Sequence, residues 1–359
     1  MNARRDAFAR RIGVRLPIVV APMAGAAGPE LTIAAAGAGA LAALPCALLT
    51  PEQIGDQVAQ VRAAVSAPIN LNFFCHDMPD EADETAWRAL LAPYYASYGV
   101  SPPEEPGVMR LPFSDAACAA VEATRPEVVS FHFGLPGPAL LARVAATGAL
   151  IFASATTVRE AQWLEAQGVD AVIAQGAEAG GHASYFLDGA PPTHMGLFAL
   201  LPQIADAVTV PVIAAGGIAD GRGVAAAFLL GASAVQIGTA FLHGPESQIT
   251  PMHREALASA DAAQTLVTTL FTGRPARGIP NRLMRDLGAM NPAAPPFPHA
   301  GIALAPLKAA AEAQGDAAFS SLWAGQASLL AEPMDAGQRI AALAADAERL
   351  LANAAKEEV

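Results

Sequence analysis

The densest chemistry in the chain lies in Gln175-Gly176-Ala177-Glu178-Ala179-Gly180-Gly181-His182. This stretch follows an apolar run, Asp170 to Ala174, that reads as a buried strand. Adjacent glycines let a backbone pass close to a ligand and aim bare N–H groups at it. A histidine beside them adds a group that titrates near neutral pH. The pattern describes an anion-binding loop with an acid/base residue at its edge. Two further strand ends carry glycine, Ala214-Ala215-Gly216-Gly217-Ile218 and Gln236-Ile237-Gly238-Thr239. Taken singly, each is a tight turn. Three together point to a phosphate site built from backbone amides, since the loops after the last two strands of barrels often form one.

Other residue types would suit the rest of a cofactor. Met23 ends its run with a polarizable thioether able to touch a ring. Asn72 and Gln175 end theirs with amides that donate and accept. A flat heteroaromatic ring with carbonyls and ring nitrogens fits this set. A second histidine, His132, sits in Ser130-Phe131-His132-Phe133-Gly134 at another strand end. It reads equally well as a structural residue and as a pocket residue. No GxGxxG follows the first strand, no GxxxxGK[ST] occurs, and no HExxH or carboxylate–histidine cluster suggests a metal.

These residues need a scaffold that brings strand ends together. Eight strands are expected, over Pro17–Met23, Gly39–Leu44, Pro68–Phe74, Glu127–Phe133, Leu150–Ala155, Ala171–Gln175, Pro211–Gly216 and Ala234–Thr239. Helical patterns alternate with them, which predicts a parallel sheet covered by helices. Eight such units within about 240 residues match a (β/α)8 TIM barrel, with a doubly wound sheet as the competitor. The cofactor site would then occupy the barrel formed by residues 1–75 and 112–243. Two stretches fall outside the repeat, 76–111 and 244–359. They are expected to pack together as a small, mostly helical lid or substrate domain over the barrel mouth.

Composition narrows the class. Hydrophobic residues make up 53% of the 359, which favours a packed fold over disorder. The net charge of −12, without any basic cluster, argues against nucleic acid as a partner. No signal-like segment and no apolar run long enough for a membrane span are read, so a cytoplasmic location is the expectation. The three cysteines are scattered, so neither a disulfide framework nor a zinc site is expected. A monomer or a homodimer is anticipated.

The ordered series of motifs resembles the nitronate monooxygenases, formerly called 2-nitropropane dioxygenases. The resemblance runs through Ala21-Pro22-Met23, Asn70 to His76, Ser130 to Gly134, Ala155-Thr156-Thr157, Ala174 to His182, Ala214 to Asp220, Gly231 to Phe241, Gly273 to Arg282 and Trp323-Ala324-Gly325-Gln326. It implies a flavin barrel with FMN held by Met23, Asn72, Gln175, Gly180, Gly217, Gln236, Gly238 and Thr239. Gly181, Gly216 and Ile237 join them from the glycine-loop reading. By the same resemblance, His182 is the catalytic base and His132 lines the substrate pocket. The implied reaction is oxidation of an alkyl nitronate or nitroalkane by O2 to a carbonyl compound and nitrite. Histidine is expected to serve as the base without large tuning of its pKa.

The chain departs from the resemblance in one region. A Tyr and, four residues on, a Lys are expected in a C-terminal loop before Trp-Ala-Gly-Gln, at positions that fall near Gly301 and Ala305; Lys308 lies three residues out of register. Ala183 also stands where an Arg is often seen. Two other readings share the loops: an NAD(P)H-dependent FMN reductase acting on quinones or enoyl thioesters, and a flavin-binding protein without turnover.

Overall fold

Phe8 and Ile12 stand on a helix, Ala3–Ile12, that no motif announced, and they close one end of a barrel. The computed structural model describes residues 3–79, 82–104, 109–187 and 194–357. Eight parallel strands close the barrel in the order β1 (Ile18–Val20), β2 (Leu41–Pro45), β3 (Ile69–Phe74), β4 (Val128–His132), β5 (Leu150–Ala155), β6 (Ala171–Gln175), β8 (Val212–Ala215) and β9 (Ala234–Ile237). Val19 of β1 pairs with Leu41 on one side and Gln236 on the other, which completes the ring. The eight expected strands are all present, and the doubly wound alternative is excluded by closure. β7 (Gly181–His182) stands outside the barrel. It pairs with β11 (Ala276–Gly278), which in turn pairs with β10 (Leu266–Thr268).

The strand period explains where the site must be. Residues two apart on a strand share a face. Phe152, Ile173 and Ala234 belong to the buried cluster that also holds Phe8 and Ile12. Two residues further on, Ser154, Gln175 and Gln236 line a cavity at the opposite end. Each strand therefore runs from an apolar plug to a polar mouth at its C-terminal end.

Helix starts are set by local chemistry. The Asp220 carboxylate accepts from the N–H groups of Arg222 and Gly223 and starts the helix Gly221–Leu229. Glu178 does the same from a distance: both its carboxylate oxygens lie 2.9 Å from the Leu197 nitrogen, at the first turn of the helix Leu197–Ala207.

The insertion and the tail meet in a second core. Trp87, Leu91, Tyr94 and Tyr95 of the helix Thr85–Tyr98 bury against Phe271, Leu283, Leu304, Leu307 and Phe319. Their polar tips are satisfied across the interface. Trp87 Nε1 donates to the Ala300 carbonyl at 3.1 Å, and the Tyr98 hydroxyl donates to Asp316 at 2.7 Å. One part of the tail behaves differently from the expectation that 244–359 all join this unit. In the helix Ala336–Glu357, the residues Ile340, Leu343 and Ala347 belong to the barrel's own core. The helix lies so close to Gly221 that a Cβ there would stand 2.4 Å from Asp346 Cβ. Its apolar stripe had two surfaces to choose from, and the chain pattern alone did not distinguish them.

Candidate functional site

The barrel mouth opens into a cavity of about 370 Å3. Met23, Asn72, His132, Gln175 and His182 line it, as do Gly180, Gly181, Gly216, Gly217, Gln236, Gly238 and Thr239. Ile237 does not. Its side chain lies in the barrel core and its carbonyl accepts from the Ala21 N–H at 2.9 Å. Strand alternation accounts for this, because Ile237 follows the inward-facing Gln236.

His182 reaches the cavity because its strand is pinned from both sides. Its backbone pairs with Ala276, and its carbonyl oxygen receives two donors. Gln175 Nε2 stands 3.0 Å from it and His132 Nε2 stands 3.1 Å from it. A carbonyl only accepts, so His132 carries its proton on Nε2 and, when neutral, accepts from the Ser154 hydroxyl at Nδ1, 3.3 Å away. Gln175 also accepts from the Ser184 N–H at 2.8 Å. Its amide therefore braces the 182–184 backbone as well as lining the cavity. The His182 ring packs among Phe74, Phe133, Phe297 and Trp323, with centroids 5.5 to 6.0 Å away. Its Nε2 shares a 3.0 Å hydrogen bond with the Thr272 hydroxyl.

This environment tunes the histidines strongly, contrary to the expectation of little tuning. Burial, then the Arg110 charge, followed by His132, Arg274 and His76, holds the His182 ring well below its ordinary pKa. Burial pushes His132 down to about 4, with Arg274 adding to the effect and the bond to the His182 carbonyl opposing it. Both rings are neutral near pH 7.

The glycines divide by task. Gly216 and Gly217 take φ of 115° and 67°, which turns the chain sharply at the end of β8. Gly180 answers a close approach: a Cβ there would lie 2.6 Å from the Gly325 nitrogen and 2.7 Å from the Ala324 carbonyl carbon. The approach is to the chain's own Trp323–Gln326 segment. Thr239 joins the same seam, its hydroxyl accepting from the Gly325 N–H at 2.9 Å. Asn72 gives Nδ2 to the Ser130 hydroxyl at 2.9 Å. Gln236 Oε1 is buried with no partner although its side chain lines the cavity, so an acceptor there awaits a donor.

The family model for nitronate monooxygenase matches residues 7–346. The chain belongs to the nitronate monooxygenase family. It is 40% identical to the nitronate monooxygenase of Pseudomonas aeruginosa over 343 residues, covering 94% of this chain and 98% of that one. It is also 40% identical to the nitronate monooxygenase of Paraburkholderia phytofirmans, covering 92% of each. Among solved structures it superposes on a nitroalkane oxidase from Streptomyces ansochromogenes with a TM-score of 0.89 and 38% identity, over 97% of this chain and 99% of that one. The likeness to FabK of Thermotoga maritima, at a TM-score of 0.73 and 24% identity over 98% of each chain, is one of fold. Membership makes it an enzyme of the flavin oxidoreductase type. No helix among its described residues is long and apolar enough to cross a membrane, and no His, Cys, Asp and Glu among them group as a metal site.

Family membership leaves the lid residues to the geometry. Arg110 and Lys308 line the cavity, and Thr272 touches His182. None of the three was singled out as a site residue from the sequence. The region of the absent Tyr and Lys is a helix, Ala300–Glu312, where a loop was expected. Three residues out of register is nearly one turn on a helix, so Lys308 shares a face with Ala305 and reaches the cavity. Its Nζ stands 3.8 Å from Glu312, which lines the same wall. Ala183 packs elsewhere, its N–H donating to Pro275 at 3.0 Å.

Proposed function

We propose that this enzyme uses FMN to oxidise alkyl nitronates with O2, giving a carbonyl compound and nitrite. The observation that carries the reading is that one cavity gathers both parts of the site. One part of its lining holds His182, His132 and Phe74, and another holds the glycine turns after β8 and β9. The unmatched Gln236 oxygen fits a ring N–H donor, and the backbone of Gly216–Gly217 and Gly238–Thr239 fits a phosphate. Met23, Asn72 and Gln175 would complete the walls around the ring. FMN, when bound, supplies the one-electron acceptor that passes its electron to O2.

The protein's own groups do the rest. The neutral imidazole of His182 is free to take a proton, and its carbonyl clamp fixes the ring's approach. Its depressed basicity makes it a weak base toward neutral nitroalkanes, so the anionic nitronate is the better substrate. Phe133 and Phe297 pack behind the His182 ring and shield it from water, while Phe74 and Trp323 line the cavity where an alkyl chain would lie. The helical unit built from the insertion and tail serves as the substrate-side wall.

The test is the purified protein with FMN, mixed anaerobically with propionate 3-nitronate, NADH or NADPH. Spectral change with the nitronate, then nitrite release in air, is the expected outcome. Bleaching by a pyridine nucleotide alone would replace this reading with a reductase. A protein that neither carries nor binds FMN would remove the flavin from it.

A further inference from the structure

We infer that Arg110 is the anion-binding residue of the substrate site, its guanidinium receiving the two oxygens of the nitronate group. The inference rests on the nitronate reading above and adds a residue that selects the anion over its neutral nitro form.

The argument begins with the charges that line the cavity. Glu178 is committed to the first turn of the helix Leu197–Ala207. Lys308 has Glu312 beside it. His253 gives Nε2–H to the Trp323 carbonyl at 3.1 Å. His132 and His182 are neutral near pH 7. Arg110 alone among these described lining groups keeps a full charge with no ion pair or hydrogen bond to its side chain among the described residues. A guanidinium withdrawn from water without a counter-charge is costly, and an incoming anion relieves that cost.

Its position puts the charge where the reaction is read to occur. Three residues on, the Phe113 N–H donates to the Phe74 carbonyl at 2.7 Å, tying this segment to the end of β3. Phe74 in turn packs against both His132 and His182, with centroids 5.7 and 6.0 Å apart. Among charged groups, Arg110 exerts the strongest influence on His182. The other nearby guanidinium, Arg274, does not line the cavity. It lies 3.9 Å from the Phe133 ring centroid and 4.5 Å from that of Tyr185, and it donates to the Tyr185 carbonyl. Arg110 is free to present its planar fork, which matches two oxygens sharing one negative charge. A neutral nitro group offers the same shape with far less charge.

The experiment uses the FMN-loaded enzyme and a carboxylate as a planar, unreactive anion. Propionate and the neutral propionamide are titrated by calorimetry into the wild type, Arg110→Met, Arg110→Gln and Arg110→Lys. We expect propionate affinity to fall at least about tenfold in the Met and Gln variants, as loss of a charge-assisted hydrogen bond requires. Propionamide binding and FMN content should stay unchanged, and the Lys variant should recover part of the propionate affinity. KM for ethyl nitronate should rise in step, with KM for nitroethane nearly unaffected. Equal propionate affinity in wild type and both neutral variants, or a loss of FMN in place of anion affinity, overturns the assignment. Propionate binding that depends on Arg110 in an enzyme that releases no nitrite keeps the anion site and sinks the nitronate reading. Nitrite release with propionate affinity independent of Arg110 does the reverse.

Discussion

The carbonyl oxygen of His182 is held by the Nε2–H of His132, 3.1 Å away, so one histidine of the site positions the backbone of the other. Gln175 Nε2 holds the same oxygen at 3.0 Å. Removing one donor leaves the other in place. We expect His132→Ala and Gln175→Leu each to lower kcat modestly, and the double variant to lose more than the product of the two. A coupling of about 0.5–3 kcal/mol is the range for residues sharing one partner. Strict additivity in steady-state rates would show that the two clamps act independently.

His182 itself is expected to be separable from cofactor binding. His182→Asn should retain FMN and lose turnover of neutral nitroalkanes, with nitronate oxidation surviving in part. The depressed pKa gives a second readout. An ordinary histidine would lose its base form near pH 6.5. Here kcat/KM for a nitronate should stay flat as pH falls from about 8 to 6.5, once protonation of the substrate itself is subtracted. Thr272 supports this ring at 3.0 Å. Thr272→Val should cut kcat by roughly tenfold while Thr272→Ser restores it, as expected for loss and recovery of one hydrogen bond. Equal rates in the Val and Ser variants would reduce Thr272 to packing.

Gly180 gives a steric prediction. A methyl group there meets backbone at 2.6 and 2.7 Å, and neither contact can rotate away. Gly180→Ala should push the Trp323–Gln326 segment off the His182 loop and destabilise the fold by about 1–3 kcal/mol, the usual cost of overpacking. Gly25→Ala is a useful contrast, since its added Cβ meets nothing within 4 Å and only its φ of 79° resists. Melting temperature and FMN retention measure both. A Gly180→Ala protein as stable and as yellow as wild type would contradict the close approach.

Stability should depend on pH in a stated direction. Burial holds His76, His132 and His253 each at about 4 in the folded protein. Their unfolded pKa is about 6.5. Between these values the unfolded chain binds more protons, so stability falls as pH falls through that window. Thermal melts from about pH 7.5 to 4.5 should show a steady decline of Tm, set in part by these groups. His253→Gln removes one titrating ring and should flatten the slope. A Tm that holds or rises toward pH 5 would contradict the burial of these rings in neutral form.

The sequence by itself determined the elements and their polarity. Runs such as Ala171–Gln175 and Ala234–Ile237 carry enough apolar, β-branched character to define strands, and glycine marks where most of them end. Alternation along a strand places Gln175 and Gln236 inside the barrel, and applied to Ile237 it would have kept that residue out of the expected cofactor set. These are local properties, set by periods of 2 and 3.6 residues, and they need no knowledge of what lies across the fold. Tertiary structure decided the rest. It made Gly180, which lines the cavity, the seat of a distant segment as well. It placed the helix Ala336–Glu357 on the barrel and the helix Ala300–Glu312 beside the cavity. It also brought Thr272, ninety positions on, to the His182 ring, and Arg110, seventy-two positions back, into the same cavity. Proximity of that kind depends on which surfaces bury together, and burial in turn lowers the basicity of the very histidine whose type the sequence had advertised.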